Sequence, residues 1–160
     1  MRTLGLAFSI LICLQSLATG QDGKKDAEPK IHAKSPARIA PTSIVIRSVE
    51  QLGQLQNVDA DKASANLAKM LKVNAIDWKT QMVIAISGGS QPTGGYSVSV
   101  TSLQVKDGKL TVNWKLNRPA PGTIVTQAFT MPSLTILVDR FEGEVVFDPK
   151  SAPGKKLQSE

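Results

Sequence analysis

"YSVSVTSLQVKDGKLTVNWKL", Tyr96 to Leu116, is the stretch whose reading decides the fold. Asp107-Gly108 at its centre is a two-residue hairpin signal, because both positions tolerate the positive φ of a type I′ turn. A hairpin there pairs Val105 with Leu110 and Leu103 with Val112. On the returning strand Leu110, Val112, Trp114 and Leu116 fall at every second position and share one face. On the outgoing strand Leu103 and Val105 agree in parity, but Tyr96, Val98 and Val100 have the opposite parity. A regular ladder turns those three side chains to solvent. One extra residue, a β-bulge at Thr101-Ser102, returns them to the apolar face, with Val100 opposite Trp114 and Val98 opposite Leu116. Tyr96 then becomes the first residue on the core face of the strand.

A long apolar hairpin face needs a second layer, and the flanking sequence supplies strands for one. "QMVIAIS", Gln81 to Ser87, is a nearly continuous apolar run of strand length and is expected at the centre of a sheet, buried on both faces. "SIVIR", Ser43 to Arg47, reads as a short first strand. Ser48 and Gln51 fit a capping box for a helix carrying Val49, Leu52 and Leu55 on one face. A second helix is expected from Lys62 to Lys72, capped by Asp59 or Asp61, with Ala63, Leu67, Met70 and Leu71 as its apolar stripe. After the hairpin, Ile124 to Thr130 and Ser133 to Arg140 are expected strands, split by Met131-Pro132, and "VVF" closes the set. The fold class is mainly β (α+β). It is a small twisted antiparallel sandwich or barrel of about seven strands, with one or two short helices after the first.

The ends of the chain read differently. Arg2 followed by the apolar "LGLAFSILICLQSLA" and small residues before Gln21 has the form of a secretory signal over residues 1–20. The expected location is therefore secreted or periplasmic, with no stable membrane anchor after cleavage. Leu11 and Ile12 precede Cys13 where a lipoprotein signal needs small residues, so lipid attachment is not expected. Cys13 is the only cysteine, and its loss with the signal leaves a core that holds without disulfides. Residues 21–41 are poor in large apolar side chains and are read as a disordered linker, and 150–160 as a disordered basic tail. The domain is expected over 42–149. Between Thr42 and Pro149 there are 10 Lys+Arg and 9 Asp+Glu, so the net charge of +6 resides largely in the ends. That distribution leaves no basic patch for nucleic acid.

Catalytic constellations are scarce. The single histidine, His32, falls in the expected linker, and no cysteine remains for nucleophilic or zinc chemistry. Asp139, Glu142 and Glu144 bracket a turn without the alternating ligands of a calcium loop. "GGSQPTGG", Gly88 to Gly95, lacks the Lys-Ser/Thr ending of a phosphate loop and leads into a strand, not a helix. No cofactor, no metal and no enzymatic activity are expected.

Two resemblances bear on what the loops do. "IDWKTQMVIAISGGSQPTGGYSVSV", Ile76 to Val100, resembles the C-terminal domain of the PrcB protease-complex subunit family, through Asp77, Trp78, Gly89, Thr93, Gly94, Gly95 and Tyr96. "RPAPG", Thr126-Gln127 and Thr130-Met131-Pro132 continue the likeness. It implies a non-catalytic, exported, β-rich domain that binds a protein partner, as a subunit or accessory of a protease complex. "QPTGGYSV" is also similar to a loop of chagasin-like protease inhibitors, which implies inhibition as the alternative. On either reading the partner-binding candidates are Gln91, Pro92, Thr93, Gly94, Gly95 and Tyr96, joined by Arg118 and Pro119.

Overall fold

The computed structural model describes residues 27–149. The expected signal (1–20) and basic tail (150–160) lie outside the described residues, as do positions 21–26 of the expected linker. The elements run β1 (Ile31–Ser35), β2 (Ile44–Ile46), α1 (Val49–Gln56), α2 (Ala60–Leu71), β3 (Gln81–Ser87), β4 (Ser97–Lys106), β5 (Lys109–Asn117), β6 (Ser133–Asp139) and β7 (Glu144–Pro149). They form two sheets, ordered β1-β6-β3-β2 and β4-β5-β7, so the domain is a sandwich and not a closed barrel.

The β4–β5 hairpin has the register read from the sequence. Val105 faces Leu110, Leu103 faces Val112, Val100 faces Trp114 and Val98 faces Leu116, with the register shift between Val100 and Ser102. Asp107 (φ 51°) and Gly108 (φ 72°) make the turn. The bulged Thr101 donates its hydroxyl to the carbonyl of Asn113 at 3.1 Å, which satisfies a group that the interrupted ladder leaves over.

Alternation sorts the central strands into three layers. Met82, Ile84 and Ile86 of β3 and Leu134, Ile136 and Val138 of β6 point into the sandwich, where they meet Val98, Leu103, Leu110 and Val112. Val83 and Leu137 point the other way, onto Leu52 of α1 and Ala63, Leu67 and Leu71 of α2. A strand covered on both faces must be apolar at every position, and the buried run of β3 from Met82 to Ile86 follows from this. Both helix starts are capped: Ser48 Oγ accepts from the Gln51 N–H at 3.3 Å and Asp59 Oδ1 from the Lys62 N–H at 3.0 Å. Gln51 Oε1 reaches back to the N–H of Arg47 at 2.8 Å, one residue before the position a capping box implies.

Three expectations are corrected. Part of the linker expected over 21–41 is strand: β1 lies at the sheet edge, antiparallel to β6. Ser35 is its only buried residue, so the strand is held through its backbone and leaves little apolar signature. The strand expected over Ile124–Thr130 is absent; that segment is loop, with a single bridge between Thr130 and Gln91. The last strand, β7, pairs with β5 in parallel, so the sandwich is not wholly antiparallel.

Candidate functional site

The pairings fix where the loops gather. β3 and β5 end, and β4 and β6 begin, at one end of the sandwich, and the turn from β1 to β2 lies there too. The loops 36–43, 88–96 and 118–132 therefore share this end. Backbone bonds lace them together. Gly88 N–H donates to Pro132 O at 2.8 Å, Gln91 and Thr130 exchange bonds of 2.8 and 2.9 Å, and Gly94 N–H donates to Thr126 O at 2.8 Å. Side chains add to these: Thr130 Oγ1 donates to Thr93 O at 2.7 Å, and Ser133 Oγ and Thr135 Oγ1 donate to the carbonyls of Pro36 and Ala37.

The sequence candidates are brought together, in unequal roles. Gly95 has φ +83°, and a Cβ there would lie 2.9 Å from both Pro119 Cβ and Val125 Cγ1. Glycine is thus required twice over, for the backbone angle and for the close approach. Gln91 is turned inward, donating Nε2 to Gly88 O at 2.9 Å. Pro92 and Arg118 are exposed, while Thr93, Gly94 and Pro119 are half-buried. Tyr96 is half-buried and precedes β4, so the first core residue of that strand is Val98 and not Tyr96.

The structure adds residues that the sequence reading missed. Ile124 is 99% exposed, Phe129 83% and Met131 51%. Three large apolar side chains are thus exposed within one loop whose backbone is tied to the 88–96 loop. The signal was in the parity of "IVTQAFT": Ile124 and Phe129 fall on opposite sides of a strand, so no single face collects the large side chains. Arg38 Nη1 meets Met131 Sδ at 2.8 Å and Nε donates to Ala40 O at 3.3 Å.

Charge divides the two ends. Loops 36–43, 88–96 and 118–132 contain Arg38 and Arg118 and no Asp or Glu. Asp77, Asp107, Asp139, Glu142 and Glu144 all lie at the other end. There the carboxyl of Asp139 is held below the usual carboxylate range, chiefly by the Lys30 N–H and next by His32, whose Nε2 lies 2.6 Å from Oδ1. Asp77 is lowered by the Thr80 hydroxyl and the Lys79 N–H. His32 is therefore a surface partner of Asp139 on β1, remote from the loop end. Among the described residues no cluster of three or more His, Cys, Asp or Glu is placed to hold a metal ion. No helix among them is long and apolar enough to cross a membrane.

This end therefore carries loops joined by backbone bonds, three exposed large apolar side chains and two arginines. Residues 82–139 match the family model described as PrcB C-terminal, a span that runs from β3 to β6 and includes both the 88–96 and the 118–132 loops. The resemblance seen at Thr93-Gly94-Gly95-Tyr96 thus extends over two of the three loops at this end, and loop 36–43 lies outside it. No curated protein and no solved structure matches the chain.

Proposed function

We infer that this is a non-catalytic, exported protein-binding domain that serves as a subunit or accessory of a cell-surface or secreted protease complex, docking through its loop end. The observation that carries the reading is the near-complete exposure of Ile124 and Phe129 on a loop tied to the Gly94–Gly95 turn. Exposed aromatic and aliphatic side chains on a fixed backbone lose little conformational entropy on binding, and such anchors contribute most to interface affinity. The family match supports the association with a protease complex. Co-purification from the native exported fraction tests it. The domain should bring down a defined partner, and Phe129→Ser should lose that partner while keeping its fold. A monomer recovered alone, with or without the substitution, sinks the reading.

A further inference from the structure

The arginines differ in what they are bonded to. Arg47 donates Nε to Phe141 O at 3.0 Å and Nη2 to Gly143 O at 2.8 Å. Arg140 donates Nη1 to the carbonyls of Arg47 and Trp78, each at 2.6 Å, and pairs with Glu142. Arg38 is engaged by Ala40 and Met131. Among the described residues Arg118 alone of the four has an exposed guanidinium with no hydrogen-bond or ion-pair partner. It also sits at a meeting point. Pro119 and Val125 both close over Gly95, so Arg118 and Ile124, each one residue earlier, leave the chain beside the same turn.

We propose that the loop end binds an acidic protein segment, one that sets a carboxylate against Arg118 and apolar side chains against Ile124 and Phe129. The proposal rests on the docking reading above and names the chemistry of the partner. Its warrant is charge complementarity: the loops of this end carry two arginines and no carboxylate, the nearest strand carboxylate being Asp148, level with Asn113 on β5, so an acidic segment laid on the loops meets attraction. A guanidinium without internal partners has its full fork of donors for a bidentate carboxylate. A lipid surface fits less well. Segments that adsorb to anionic bilayers carry roughly 4–8 Lys or Arg, and the described loops of this end carry Arg38 and Arg118.

The test is selection from a random peptide library displayed on phage against the immobilised protein, alongside sedimentation with phosphatidylglycerol vesicles. Enriched peptides should share Asp or Glu beside aromatic or aliphatic residues. Their binding should fall about tenfold or more in Arg118→Gln, as expected for loss of a hydrogen-bonded charge pair. It should recover only in part in Arg118→Lys, which restores the charge without the fork. A neutral or basic consensus that still depends on Phe129 overturns the acidic partner and leaves docking standing. Failure to enrich any peptide sensitive to Ile124→Ser or Phe129→Ser overturns the docking reading itself. Vesicle binding lost in Arg118→Gln and Phe129→Ser, with no peptide enriched, assigns the surface to lipid and overturns the proposal.

Discussion

The N–H of Gly94 donates to the carbonyl oxygen of Thr126 at 2.8 Å, joining the loop after β3 to the loop after β5. This bond and its neighbours bring the loops that carry the expected binding residues and the unexpected apolar ones to one end of the sandwich. The two adjacent glycines contribute differently. Gly94 lies where a Cβ would make ordinary contact with Thr126 at 3.4 Å, whereas at Gly95 it would be forced to 2.9 Å of Pro119 and Val125 at φ +83°. Gly94→Ala should change stability by less than about 1 kcal/mol. Gly95→Ala should cost about 2 kcal/mol or more, because strain and clash add. Urea denaturation of the two variants measures the difference; equal stabilities contradict the packing described.

The bulge at Thr101 is tested by removing it. Deleting Thr101 removes the extra residue, makes the ladder regular and leaves Val98, Val100, Leu103 and Val105 at alternate positions with their partners unchanged. Val98 then stays buried against the other sheet, so the variant should keep a cooperative transition and lose no more than about 1.5 kcal/mol, the worth of the hydroxyl bond from Thr101 to Asn113. Loss of cooperative unfolding in the deletion variant counts against the register.

That register was legible because two independent signals agree in one stretch: a turn dipeptide and a switch of parity. β3 was legible for a related reason, since only burial on both faces calls for five consecutive apolar residues, Met82 to Ile86. β1 was not, because a strand at a sheet edge needs no apolar side chains; Ile31 is 45% exposed and Lys34 is exposed. Ile124–Thr130 misled in the opposite sense. Its β-branched composition suits a strand, but composition does not supply a neighbour to pair with. The candidate site was half legible. Glycines announce a turn wherever they fall, whereas Ile124 and Phe129 resemble core residues until the backbone shows them outside.

Exposure gives a second contrast. Ile124→Ser and Phe129→Ser remove side chains that are 99% and 83% exposed and should leave stability within about 0.5 kcal/mol of the wild type. Calorimetry that shows a large loss in either variant means that these residues are packed in solution.

Arg140 and Arg118 separate structure from binding. Arg140→Ala strands the carbonyls of Arg47 and Trp78 and should cost about 2–3 kcal/mol. Arg118→Ala should be neutral to folding. Similar melting temperatures for the two variants contradict the assignment of Arg140 as a brace.

Asp139 makes the hold on β1 depend on acidity. Its folded pKa lies below the unfolded value, near 3.9. The stabilisation it gives is full above the unfolded value and is lost as pH falls through the lower folded one. Amide protection at Ile31–Ser35 should therefore weaken below about pH 4. In Asp139→Ala it should already be weak at neutral pH and change little on acidification. Identical protection in both proteins at neutral pH removes Asp139 from this role.

The parallel pairing of β7 with β5 decides how the domain can be handled. Pro149 lies level with Trp114, close to where β5 delivers Asn117 to the loop end, while Lys30 enters beside Asp139 at the far end. A fusion or fluorophore attached after Pro149 is carried toward the loop end by the direction of β7. One attached upstream of Ala27 acts as a stalk and presents Ile124 and Phe129 outward.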